Sequence, residues 1–170
     1  MLDALKIVIA VGAFSGVVAS VVTVGFSWLR ELLAKKREAA YLAMRLAVLL
    51  EGYAMACIGY ASFANEHWKQ YYGEPPDDVP QLPPYPSDAD WKALDQKLAD
   101  QILSFANEIA TRARSARFAR IFEGNAFQIQ TEIEESAHRA IDLAGALRKR
   151  YGFAPSEPLR ACLKKEARSF

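Results

Sequence analysis

Residues 7–29 read IVIAVGAFSGVVASVVTVGFSWL, 23 positions without a charged side chain, and no other stretch restricts so strongly what the chain can become. An α-helix rises about 1.5 Å per residue, so this run reaches roughly 34 Å, enough to cross a hydrocarbon core of about 30 Å. A cleaved secretory signal has an apolar region of only about 7 to 15 residues. Here the run is longer, and RELLAKKRE follows it directly. The sequence therefore predicts a transmembrane anchor in residues 1–30, in contact with membrane lipid, and a separate domain in residues 31–170. The mean hydropathy of −0.03 is the average of this apolar anchor and a polar remainder.

Basic residues beside the span set its orientation. Lys6 precedes it, whereas Arg30, Lys35, Lys36 and Arg37 follow it. Lys and Arg are retained on the cytoplasmic side, so the expected arrangement is single-pass, with the N-terminus outside and the C-terminal domain cytoplasmic. Trp28 then falls at the inner interface, where an indole keeps its ring in lipid and its N–H near water. Within the span Gly12, Gly16 and Ser20 are four residues apart, and Thr23 and Ser27 nearly continue the stripe. Small residues on one helix face let two backbones approach closely, so the stripe is a candidate for a homo-oligomer through the transmembrane helix or for pairing with another membrane helix, the alternative being that Gly and Ser are ordinary in such helices.

After the basic patch, residues 38–72 contain no proline, and Leu42, Leu46, Leu49, Tyr53, Cys57, Tyr60 and Phe63 recur at three or four residues. That spacing predicts a helix with a broad buried stripe. Residues 46–64 offer an alternative second membrane pass, interrupted only by Glu51. A carboxylate at mid-bilayer costs about 2.5 to 3.5 kcal/mol, which favours the core helix. Residues 73–87, GEPPDDVPQLPPYPS, hold six prolines and cannot be helical. They are expected to run as an extended connection along their own domain, with recognition by a proline-binding module as the alternative.

Ser87, Asp88 and Asp90 supply acceptors and negative charge for a second helix start. Its apolar series Trp91, Leu94, Leu98, Ile102, Phe105, Ile109, Ala113 and Ala116 runs on to about Phe122, and Gly124 and Asn125 stop it. A third helix follows through Phe127, Ile133, Ala137, Ile141, Ala144 and Leu147 to Tyr151, ended by Gly152 and Pro155. Ser156, Glu157 and Pro158 open a short terminal helix, LRACLKKEARS. The predicted class is all-α: one N-terminal transmembrane helix, then an antiparallel helical bundle of three long helices and a short C-terminal helix.

Three segments, RLAVLLEGYAMAC, PPYPSDADWKALDQKLADQILSFANEI and AGALRKRYG, lie between residues 45 and 152 and so span most of the part beyond the anchor. Together the chain resembles a group of proteobacterial membrane-anchored helical proteins without an established activity. DWKAL and the RKRYG ending are the most specific pieces. The resemblance implies a bacterial source, and hence the inner membrane, but no particular chemistry.

Lys and Arg number 21 against 20 Asp and Glu, a net charge of +1 that offers no global field to nucleic acid, which is not among the expected partners. Cys57 and Cys162 lie outside any metal or disulfide spacing. Glu135 and His138 have the Glu-x-x-His spacing of di-iron bundles, but such centres need the motif twice. His67 has Ala64 where a second glutamate would stand, with Glu66 adjacent. Cys57 and His67, ten apart on one helix, are separated by roughly 15 Å and cannot form a nucleophile–base pair. No phosphate loop, GxSxG elbow or HExxH occurs. The sequence assigns no catalytic residue, no cofactor and no metal site.

The remaining unusual feature is a basic stripe of Arg112, Arg114, Arg117 and Arg120, the last three at three-residue steps. It reads as a solvated face neutralised by Glu108, Glu123, Glu132, Glu134 and Glu135. Contact with anionic lipid, nucleic acid or an acidic partner is the alternative. Gly12, Gly16, Ser20, Arg114, Arg117 and Arg120 are thus the interaction candidates. The leading expectation is a membrane-tethered interaction or scaffold module with an unknown cytoplasmic protein partner. Two other readings compete with it. One is a phage-lysis or envelope-spanning component with a periplasmic domain. The other is a small helical metal protein or enzyme with a site around Glu51, His67, Glu135 and His138.

Overall fold

The computed structural model describes the backbone of residues 2–71, 80–118 and 127–156, and side chains from residue 25 onward except those of 65, 67–71, 116, 127 and 128. Among these residues the protein is all helical and has no strand. Helix α1 spans Leu2–Tyr71, α2 Gln96–Phe118 and α3 Phe127–Tyr151, with a 3-10 turn at Trp91–Ala93 before α2. The apolar run and the helix expected after it are thus one element, since nothing between them is a proline or another helix breaker. The expected C-terminal helix and the Gly124–Asn125 stop lie outside the described residues. The chain divides into two compact units, Met1–Ala39 and Ala40–Phe170.

In the first unit Phe26, Trp28, Leu29, Leu32 and Leu33 are all exposed. Glu31 and Lys35 form an exposed ion pair one helical turn apart, 3.4 Å. Within α1 the segment Gly25–Ala64, which runs from this unit into the second, is long and apolar enough to cross a membrane, a test that a buried core helix or a signal sequence also passes.

The second unit has one core. From α1 it takes Leu42, Leu46, Leu50, Tyr53, Cys57, Tyr60 and Ala64; from α2, Ala99, Ile102 and Phe105; from α3, Ile129, Ile133, Ala137, Ala140, Leu143, Ala144 and Leu147. Tyr53 of α1 meets Phe105 of α2 edge to face, with ring centroids 6.0 Å apart at 78°. Glu51 of α1 and Arg148 of α3 form a bidentate pair, 2.5 and 2.9 Å. Glu51, whose charge weighed against a second membrane pass, therefore has a cation partner inside this unit.

Helix α2 starts later than Ser87 to Asp90 suggest. Asp88 instead pairs with Arg45 of α1 at 2.9 Å, and Asp90 caps the short Trp91–Ala93 turn by accepting from the Lys92 amide. Leu94 is extended, and Asp95 becomes the cap of α2, accepting from the amides of Lys97 and Leu98 at 3.2 and 3.3 Å. Its carboxylate also meets Arg150 Nε at 3.2 Å, while its own N–H donates to the Tyr151 hydroxyl. The C-terminus of α3 closes on Gly152, in the left-handed region at φ +75°, and the Phe153 amide donates to the Arg148 carbonyl at 2.8 Å. That six-to-one bond is the closure glycine permits without steric cost.

The Leu98 amide, and after it Arg150, hold the Asp95 carboxyl below the usual aspartate range. A folded pKa below the unfolded one gives stability that is present above the unfolded value, about 3.9, and is lost as pH falls through the folded value. Asp95→Asn keeps a capping acceptor but removes the charge. Its melting temperature should lie below that of the native protein near neutral pH, and the gap should close on acidification below about pH 4. A gap unchanged across that titration would show that the charge on Asp95 contributes nothing.

Candidate functional site

The second unit carries an open cleft of about 520 Å³. Its first wall is the extended stretch 80–85, which follows the proline-rich run. Pro80, Pro83 and Pro84 forbid helix there, and the segment is fixed to the core by Tyr85. The Tyr85 hydroxyl donates to the Ile102 carbonyl at 2.6 Å, and its ring packs edge-on against Trp91 at 5.5 Å. Burial pushes the Tyr85 phenol up to about 12, so it stays protonated and keeps donating at neutral pH. Residues 73–79 of the proline-rich connection lie outside the described residues.

The second wall is the later half of α2, with Ile109, Ala110 and Ala113 toward the cleft and Arg114 and Arg117 at its edge. The floor comes from Tyr53 of α1 and from Ile129, Glu132, Ile133 and Ser136 of α3. Ser136 occupies a core position of α3, and its hydroxyl donates to the Glu132 carbonyl one turn earlier, 2.7 Å. This satisfies the buried hydroxyl locally.

The arginine stripe is not electrically uniform. Arg112 is bound by Glu132 at 2.9 Å and also by Glu135. The Glu135 hydrogen bond, then that to Glu132, raises its affinity for its proton. Arg114 donates through Nε to the Ala110 carbonyl, 3.1 Å, and among the described residues no carboxylate pairs with it or with Arg117. Arg120 lies outside the described residues. Gly12, Gly16 and Ser20 fall on the described backbone of α1, but their side-chain surroundings are not described. The structure thus brings Arg114 and Arg117 to one cleft.

No family model, curated protein or solved structure matches the chain. What the cleft can do must accordingly be argued from its own chemistry.

The two groups that carry the Glu-x-x-His spacing do not meet at a metal site. Glu135 is engaged by Arg112, while His138 is exposed beside a niche of about 40 Å³ formed with Ile58, Ala61 and Ile141. Among the described residues no three His, Cys, Asp or Glu side chains are grouped as ligands would be. Cys57 is buried among apolar neighbours. The His67 side chain lies outside the described set. Sequence reasoning missed Tyr53, Leu82, Tyr85 and Ser136 as parts of a site. The usable signal was an aromatic residue inside a proline-rich run, together with a serine on the apolar stripe of α3.

Proposed function

We propose that the chain is a single-pass bacterial inner-membrane protein whose cytoplasmic helical bundle docks a protein partner. The observation that carries this reading is the cleft, where apolar side chains lie beside two guanidinium groups, Arg114 and Arg117, that have no carboxylate partner among the described residues. Such a surface is unusual on a water-facing helix, and it is what a docking site for an oppositely charged, partly apolar segment requires.

The bundle arrangement is supported by pairings along the helices. Asp95 and Arg150 meet near one end of α2, Arg112 and Glu132 nearer the other, so α3 runs against α2. Glu51 pairs with Arg148, while Ile58 and Ala61 share a niche with Ala137 and Ile141, so α3 also runs against α1. Helices α1 and α2 are then parallel, and the proline-rich segment is the return connection that parallel neighbours demand. The anchor reading rests on the uncharged residues 7–29 and on Arg30, Lys35, Lys36 and Arg37 beyond them. Two copies would associate through Gly12, Gly16 and Ser20.

Membrane flotation and C-terminal fusions test the location. The full-length chain should float with membranes and resist carbonate extraction. A C-terminal green fluorescent protein should fluoresce, and a C-terminal alkaline phosphatase should stay inactive. Recovery of the chain in the aqueous fraction without detergent would remove the anchor. Active phosphatase with a dark fluorescent fusion would favour the envelope-spanning, periplasmic alternative.

A further inference from the structure

Resting on the reading of this unit as a docking module, we propose that the cleft between residues 80–85, α2 and α3 receives a short acidic amphipathic peptide segment of the partner. Its carboxylates engage Arg114 and Arg117, and its apolar side chains lie on Leu82, Ile109 and Ile133. Charge complementarity is the first argument. Of the three arginines lining the cleft, Arg112 is already satisfied by Glu132 and Glu135. Arg114 and Arg117 stand three residues apart on one helix side, and the outer N–H groups of Arg114 and the whole guanidinium of Arg117 make no hydrogen bond among the described residues. Guanidinium groups present forked donors that match carboxylates, so adjacent acidic side chains fit this edge.

Size and interior polarity narrow the occupant. A cleft of about 520 Å³ takes a few side chains rather than a folded domain, being within the usual range of about 300 to 1,000 Å³ for enclosed ligands. Its floor holds the Glu132 carboxylate, which is only 20 % exposed. A hydrocarbon tail laid over that carboxylate and its Arg112 partner would strip the ion pair of water and offer nothing polar in return. A peptide brings polar backbone amides beside that ion pair while its apolar side chains cover Leu82 and Ile109.

The test uses the full-length protein in a non-ionic detergent and fluorescence anisotropy with three probes. These are a labelled peptide of alternating Leu and Asp, its Leu and Lys counterpart, and short-chain phosphatidylglycerol as competitor. The acidic peptide should bind at least tenfold more tightly than the basic one, and its affinity should fall as salt is raised. Arg114→Glu with Arg117→Glu, two positions at the cleft edge whose substitution spares the core, should weaken it at least tenfold. Leu82→Asp should do the same while circular dichroism stays native. Equal binding of the two peptides, or indifference to the arginine reversals, would overturn the proposal. Displacement of the peptide by phosphatidylglycerol at comparable concentration would reassign the cleft to lipid and overturn it as well. Because binding is read on solubilised protein, a failure here is separate from any failure of the membrane orientation.

Discussion

Phe105→Ala is expected to lower the stability of the second unit by about 4 kcal/mol, near the upper end of what truncating one buried side chain costs. Phe105 is 1 % exposed and is among the largest fully buried side chains. Its ring edge-packs on Tyr53, so truncation removes both the buried area and an oriented aromatic contact between α1 and α2. The cavity falls in the core of the second unit, against Tyr53 of α1. A domain of this size is stable by only about 5 to 15 kcal/mol, so the variant should melt well below the native protein. Phe105→Leu, which keeps most of the volume, should cost less than about 1.5 kcal/mol. Urea unfolding followed by far-UV circular dichroism in detergent measures both. A loss below about 1 kcal/mol for the alanine variant would mean that Phe105 is not enclosed as described.

The helices are legible in the sequence because their signals are local. Unbroken stretches without proline mark α1 and α3, and Gly152 marks the end of α3 through the one conformation that favours it. The core register of α1 is only partly legible. Leu42, Leu46, Tyr53, Cys57 and Tyr60 are buried as their spacing predicts, but Leu50 rather than Leu49 continues the stripe, and Phe63 is 55 % exposed where Ala64 is buried. Apolar residues surround this helix on nearly every side, with Tyr41, Met44, Val48 and Met55 exposed opposite the core. Periodicity alone therefore cannot tell which of two adjacent leucines turns inward. The α2 cap escapes the sequence for a related reason: Asp88, Asp90 and Asp95 are equally good caps in isolation, and tertiary partners such as Arg45 and Arg150 decide among them.

The cleft is less legible than the helices. The arginine stripe is visible, but its division into a neutralised Arg112 and an Arg114 and Arg117 without a carboxylate partner among the described residues depends on which glutamates α3 presents, a long-range matter. Charge pattern alone predicts that the glutamates neutralise the whole stripe, whereas among the described residues Glu132 and Glu135 pair with Arg112 and with neither Arg114 nor Arg117. The wall formed by residues 80–85 depends on Tyr85 finding the Ile102 carbonyl, which no local pattern encodes.

The pairing of Glu51 with Arg148 joins two residues 97 apart in sequence, and its removal should be nearly as damaging as the loss of Phe105. The two side chains are only 13 % and 18 % exposed, so each charge is largely out of water and is compensated chiefly by the other. Glu51→Leu leaves the Arg148 guanidinium with the Ala154 carbonyl as its remaining acceptor, and an uncompensated, mostly buried charge of this kind costs about 3 kcal/mol. Removing both charges is a different experiment, because the desolvation borne by each ion disappears along with their attraction. The double variant Glu51→Leu with Arg148→Met should therefore be more stable than Glu51→Leu alone, a non-additivity of at least about 1 kcal/mol. Unfolding measurements on the native protein, the two single variants and the double variant form a complete cycle. Additive losses would show that the two groups contribute separately, and the pair would then be no clasp between α1 and α3. Non-additivity would also explain how a helix as apolar as α1 tolerates a carboxylate at position 51: the charge is matched from α3 inside the same unit.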